Sequence, residues 1–285
     1  MGVATAPRVA HSCGVNGPSA ILARPSSSSV APTTDTPIDA GYDLHVTKSG
    51  PMKPKANQSR NLLFVAMKRA MGVQSVIDAQ PISLEQGALV CEPGDLMRFV
   101  YFPLSCVLSA LSSHRDGTLI ATTLRGHEGG FGLLTAIRKA KTNARCQVQI
   151  AGPALRVDAR HLGSIFDASK EIRHVFLCYW DAVMFQYEQA GICNTMHVVS
   201  SRLSRCLLEI HDRVIGDAFP FTHQHMANLI AANRTTVSLA MLDLRRSGLI
   251  ETDRAYVRVL DRKRLQAASC DCYARIRSRF ELAYG

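Results

Sequence analysis

The sequence predicts an α+β protein in which strands come first and helices follow. Three observations carry this. Between residues 82 and 160, short β-branched or alternating runs are separated by Gly-marked turns. From about Ser169 the apolar spacing changes to a helical period. From Phe221 onward, two short helical stretches joined by a tight break precede a pair of short strands.

Taken in order, residues 1–58 are polar, Pro-rich and without period (Ser26–Ser29, Pro32–Thr34, Pro51–Lys55), and read as a disordered tail. A globular texture starts at Asn61. Strands are expected at Val100–Phe102, Val107–Leu111, Leu119–Leu124, Cys146–Ile150 and Leu155–Val157. Glu92-Pro-Gly-Asp95, Asp116-Gly117, Gly126 and Gly152-Pro153 mark the turns, and the regular spacing suggests an antiparallel barrel or sandwich. Next, Phe176, Trp180, Val183, Tyr187 and Ala190 recur at spacings of 4, 3, 4 and 3. That stripe fits either a dimerisation seam or an amphipathic helix lying on the β domain. A further helix is expected near Ser200–Arg213, with Leu203, Cys206, Leu207 and Ile210 on one face. The wing strands are Leu249–Thr252 and Tyr256–Val259.

The chain has 285 residues and a formal net charge of +10, from 33 Lys and Arg against 23 Asp and Glu. Half of the surplus, +5, falls in residues 201–285, where an anionic partner would dock. The longest clean apolar run, Leu62–Met67, is far short of the roughly 20 residues that cross a membrane. An early segment without acids before Asp35 faintly resembles an organelle transit peptide, but a cytoplasmic protein is the simpler expectation. Nine cysteines form no Cys-x-x-Cys pair, which fits reduced thiols. No P-loop, Gly-x-Ser-x-Gly or His-Glu-x-x-His motif occurs, so an enzyme is not expected.

The informative stretch is Phe221–Ile250. Thr222 is placed to cap a first helix with Met226, Leu229 and Ile230 on its apolar face. Ala231-Ala232 breaks it, Asn233 caps the second helix, and Gly248 ends that helix. A recognition helix enters the major groove with its first turn against base edges, which here holds Arg234, Thr235, Thr236 and Ser238. An arginine there can donate two parallel hydrogen bonds to guanine. Thr222 and Gln224 sit where a helix start can hold a phosphate, and Arg245, Arg246 and Arg254 can add phosphate contacts.

Several motifs then fall in one order: Glu92-Pro-Gly-Asp, Val100-Tyr-Phe-Pro103, Gly126-His-Glu-Gly129, Cys193-Asn-Thr-Met-His197, Arg202-Leu-Ser-Arg-Cys-Leu-Leu208, His211-Asp-Arg213, the helix-turn-helix and Ala267-Ala-Ser-Cys-Asp-Cys-Tyr273. By this set the chain resembles the Crp/Fnr family of bacterial transcription regulators. The resemblance implies a cyclic-nucleotide-binding-like β-roll at 59–166, a dimerisation helix at 167–198 using Phe176, Trp180, Val183 and Tyr187, and a winged helix-turn-helix at 199–273, followed by a tail at 274–285. It implies a homodimer on a palindromic double-stranded DNA operator, with RNA polymerase as a further partner. Base-reading positions fall on Arg234, Thr235 and Leu239. Thr235 stands where cyclic-AMP-responsive members carry Glu, and Leu239 where they carry Arg, so a different operator is expected.

The effector pocket is expected around Gly132, Leu133, Asn143 and Arg145. Leu133 stands at the Glu position that holds the cyclic-AMP ribose, and Asn143 at the Arg position that holds the phosphate; Arg145 lies two residues on. Without its cation a buried phosphate is unpaired, so no cyclic-AMP response is expected. No cofactor is expected either. Cys13 stands alone before Cys91, which rules against the family's N-terminal iron–sulfur cluster, and no residue signals a haem. His127 and His174 are expected to be ordinary histidines. Cys178, Cys193 and Cys206 read as small core residues. Cys270 and Cys272 read as structural, because two cysteines at i, i+2 point to different helix faces and zinc needs two further ligands.

Overall fold

The computed structural model describes residues 61–72, 77–113, 119–253 and 255–284. The tail expected at 1–58 lies outside them, as do Cys13, the Asp116-Gly117 turn and Arg254. Helix α1 (Leu62–Met71) starts on a fully buried Asn61. The Asn61 Oδ1 accepts the Phe64 amide at 2.9 Å, and its Nδ2 donates to the carbonyls of Pro103 and Gly129, both at 2.8 Å. One side chain therefore caps the helix and fastens it to two loops of the β domain.

Seven antiparallel strands build that domain: β1 (Gln80–Leu84), β2 (Leu89–Cys91), β3 (Phe99–Pro103), β4 (Val107–Ser113), β5 (Leu119–Arg125), β6 (Arg145–Ile150) and β7 (Gly152–Asp158). They form two sheets, in the orders β1-β7-β3 and β2-β6-β4-β5. Alternation sets the faces. In β6, Cys146, Val148 and Ile150 are buried, while Arg145, Gln147 and Gln149 are half-buried. Strand β3 is buried on both sides, because Val100 and Phe102 share a core with α1 and Tyr101 lies in the opposite cluster. Helix α2 (Leu133–Arg138) and helix α3 (Ala159–Ala168) add Leu133, Ala136, Leu162 and Ile165 to the core that holds Val100 and Phe102.

Helix α4 (Lys170–Met196) is the long helix, capped by Ser169, whose Oγ accepts the Ile172 amide at 3.2 Å. Its inner face, with Ile172, Phe176, Tyr179 and Val183, lies in the same core as α1 and β3. This corrects the expected seam. Phe176 and Val183 are consumed by the chain's own core. Trp180 is half-buried and Tyr187 is exposed. The open face rotates by one position, to Leu177, Trp180, Met184, Tyr187 and Gly191, again at heptad-like spacing. The centres of the expected and the open stripes are only about 60° apart on a helical wheel, and spacing alone cannot separate them.

Helix α5 (Val199–Arg213) follows after an extended joint at His197 and Val198. Then come β8 (Ala218–Pro220), α6 (His223–Leu229), α7 (Arg234–Arg246), β9 (Ile250–Thr252), β10 (Tyr256–Val259), α8 (Arg262–Ala268) and α9 (Cys272–Tyr284). The wing has three strands rather than two, in the order β8-β10-β9, with Tyr256 opposite Pro220 and Val257 opposite Thr252. The tail expected at 274–285 is also corrected: through Tyr284 it is helix α9. Tyr273, Ile276 and Phe280 are spaced for one helical face, and Ile276 and Phe280 are buried beside Tyr179 of α4. Among the described residues no helix is long and apolar enough to cross a membrane.

Candidate nucleic-acid interface

The two helices α6 and α7 are positioned from their ends and from beneath. Thr222 Oγ1 accepts the His225 amide at 3.2 Å and caps α6. Asn233 Oδ1 accepts the Thr235 amide at 2.8 Å and caps α7. At the far end, the Gly248 amide reaches the Arg245 carbonyl and the Leu249 amide the Leu244 carbonyl, both at 3.0 Å, with Gly248 at φ 68°. This double bond pattern needs a left-handed residue and stops the helix. Beneath, Met226 and Ala227 of α6, its C-cap Ile230, and Val237, Ala240, Met241 and Leu244 of α7 pack on Leu203, Leu207 and Ile210 of α5 and on the wing.

Ala231, in the break between the helices, is left-handed at φ 49°. Its Cβ is strained there, so Ala231→Gly is expected to stabilise the protein by about 1 kcal/mol. Urea denaturation reads this directly, and a stability loss would contradict the left-handed turn. Arg202 of α5 holds the same break. Its Nη1 donates to the Ile230 carbonyl at 3.0 Å and to the Asn194 carbonyl at 3.1 Å, linking the turn to the end of α4.

What α7 presents outward is Arg234, Thr235, Thr236 and Leu239, all exposed, with Arg245 and Arg246 in its last turn. Ser238 departs from the expected contact set. It is half-buried, its hydroxyl donates to the Arg234 carbonyl at 2.9 Å, and His223 Nδ1 meets the same oxygen at 2.9 Å. Because the hydroxyl proton is used, the His223 ring nitrogen must donate, and Ser238 is spent on joining the two helices. Gln224 is exposed and bonded to Asn228 at 2.8 Å.

The expected pocket residues sit in unlike settings. Gly132 is left-handed at the start of α2, Leu133 is buried in the core, and Asn143 is exposed. Arg145 Nε faces Glu92 Oε1 at 3.4 Å. Leu133 is thus corrected from a pocket wall to a core side chain, its apolar bulk being better used against α3 and β3.

Three networks were not foreseen. In the first, Arg125 is buried at the end of β5 and donates to Gln186 Oε1 of α4 at 2.9 Å. In the second, the His211-Asp-Arg213 motif serves packing. Arginine can only donate, so His211 Nδ1 accepts from Arg262 Nη1 at 2.7 Å, and His211 Nε2 carries the proton toward Asp217 Oδ1 at 2.9 Å. Arg262 Nη2 also reaches Asp212 Oδ1 at 2.6 Å. In the third, Arg213 Nε meets Glu128 Oε1 of the Gly126-His-Glu-Gly129 loop at 2.9 Å, both side chains buried. Burial pushes the Glu128 carboxyl up, but the Arg213 guanidinium, His127 and the Gly126 amide together bring it below its ordinary value. A Cβ on Gly126 would stand 2.8 Å from Arg213 Cβ, so this approach requires glycine. Finally, Cys193, expected as a small core residue, and His197 come together with Cys270 and Cys272, for which no further ligands were expected.

These features define a class: a double-sheet β-roll, a long helix running from it, and a winged helix-turn-helix with an exposed, capped second helix. Residues 201–268 match the Crp-like helix-turn-helix domain, and the chain has the fold of Crp/Fnr-type regulators. FixK2 from Bradyrhizobium japonicum is similar at 14% identity and a TM-score of 0.57, over 67% of this chain and 98% of that one. TTHB099, a CRP-family transcriptional regulator from Thermus thermophilus, is similar at 20% identity and a TM-score of 0.54, over 66% of this chain and 95% of that one. No curated protein matches the sequence.

Proposed function

We propose that this chain is a sequence-specific, DNA-binding transcription regulator that acts as a homodimer in the cytoplasm, with an effector other than cyclic AMP. The observation that carries the reading is α7. Its buried side is fixed to α5 and the wing, while Arg234, Thr235, Thr236 and Leu239 face outward from a capped first turn. Such a surface offers a bidentate donor for guanine, two hydroxyls and an apolar contact for a thymine methyl group. Thr222, Gln224 and Asn233 lie at the two helix starts, where amides and side chains hold phosphates. The long helix supplies the dimer seam through Leu177, Trp180, Met184, Tyr187 and Gly191. The two readers then enter successive major grooves about 34 Å apart at a palindromic site, from which RNA polymerase is contacted.

Selection of DNA by the full chain from a random pool tests this. A two-fold symmetric site is expected, its affinity falling steeply with salt because Lys and Arg displace condensed counterions. Micromolar cyclic AMP is expected to leave the affinity unchanged. Equal binding to every sequence would overturn the proposal. A second reading, control by a partner with the β-roll as scaffold, is favoured by one observation: the buried Glu128–Arg213 pair joins roll and reader directly. Footprinting of the selected site by purified protein alone supports it over an effector-gated switch.

A further inference from the structure

We propose that Cys193, His197, Cys270 and Cys272 bind one structural zinc ion at the joint between the long helix and the DNA-reading domain. The four ligand atoms all lie within 4.8 Å of one another. Cys193 Sγ is 3.5 Å from Cys270 Sγ, and Cys272 Sγ is 3.5 Å from His197 Nδ1. Tetrahedral zinc with bonds of about 2.3 Å to sulfur and 2.0 Å to nitrogen has sulfur–sulfur edges of about 3.8 Å and sulfur–nitrogen edges of about 3.5 Å. The cage therefore has the size of one ion with no fifth position needed, which is the arrangement of a structural site. Three soft thiolates with an imidazole select zinc over hard cations.

The local sequence explains how the ligands converge. Cys193, in the last turn of α4, and His197, at its C-cap, are four residues apart and share a face. Cys270 lies in the turn before α9 rather than in a helix, and Cys272 is the first residue of α9. The rule that i, i+2 side chains diverge on a helix therefore does not apply to them. The surroundings also suit a metal. Gln189 Nε2 donates to Cys272 Sγ at 3.6 Å, and Asp271 Oδ1 faces His197 Nε2 at 3.7 Å, leaving Nδ1 toward the cysteines. A carboxylate behind a ligating histidine fixes its tautomer and raises its basicity.

Position gives the site its consequence. His197 and Val198 form the extended joint between α4 and α5, and α5 carries the helix-turn-helix. An ion held there ties the joint to the link between α8 and α9 and so restrains the angle of the reader to the long helix.

The test uses the full chain, produced with zinc present and purified under reductant without chelator. Elemental analysis is expected to give about one zinc per chain, since a closed Cys3His site binds a single ion. Exchange of cobalt(II) for zinc in the unmutated protein is expected to give the intense absorption of tetrahedral thiolate coordination. Cys270→Ser and His197→Ala are expected to lower the bound zinc and the melting temperature together. Metal-free protein with the cobalt spectrum of the free ion would overturn the proposal. So would a Cys193–Cys270 disulfide in protein kept reduced with zinc, or an iron–sulfur chromophore in its place.

Discussion

Arg213→Ala is expected to destabilise the protein by about 3–5 kcal/mol, the cost of leaving a buried charge without its partner. The partner is Glu128, whose carboxylate accepts from Arg213 Nε at 2.9 Å and from the Gly126 amide at 3.1 Å. Arg213 also donates to the Glu209 carbonyl at 2.6 Å, and Glu209 is itself held by Arg205 at 2.6 Å. The Tyr284 hydroxyl donates to the Glu128 carbonyl, so α9 leans on the same loop. The substitution therefore opens a joint between the β-roll, α5 and α9 rather than a surface pair. Replacing both charges with neutral residues of similar volume, as in E128Q with R213M, is expected to recover much of the loss, because neither group is then an unpaired ion. The pH dependence has a definite sign. The Glu128 carboxyl lies below its ordinary value of 4.5 in the folded state, so its contribution is complete above that value and is lost as pH falls through the folded one. Chemical denaturation of the three proteins at neutral pH and in acid measures both effects. Equal stability of Arg213→Ala and the parent protein would sink this account.

How much of this was readable in the sequence depends on how local the cause is. Strands β3 to β7 and helices α5 to α7 declare themselves, because alternation, helical period, caps and turn residues act within about ten positions. Thr222, Asn233 and Gly248 act where they were expected to act. The apolar pattern of α4 was legible as a stripe but not as a direction, since which face is buried depends on α1 and β3, far away in the chain. Helix α9 carried a weaker signal. Its Tyr273, Ile276 and Phe280 spacing is interleaved with Arg275, Arg277 and Arg279, which reads as a solvated run until Phe185 is seen beside Arg275 and Arg279, and Asp181 beside Arg279. The Glu128–Arg213 pair joins residues 85 apart, and Cys193 and Cys270 are 77 apart. No periodicity links such positions; only the tertiary fold does.

Arg234→Ala is expected to weaken binding to the preferred DNA site by about 1–3 kcal/mol, roughly 5- to 150-fold, the worth of one bidentate arginine–guanine contact. Arg234 is the first residue of α7, exposed, and has no ion-pair partner among the described residues, so its removal takes nothing from the packed face of the helix. The Asn233 cap is a separate side chain and keeps the helix start intact. Stability and dimerisation are therefore expected to match the parent protein, as urea denaturation and sedimentation would report. Binding to unrelated DNA, which depends on phosphate contacts, is expected to change much less than binding to the selected site, and the preference for guanine at one position of each half-site is expected to relax. The contrast case is Arg245→Ala, in the last turn, which should weaken all sequences alike and make the salt dependence shallower. If Arg234→Ala binds the selected site as the parent does, with its base preference unchanged, then α7 does not read bases through its first turn, and specificity must reside in Thr235 and Leu239 or outside this helix.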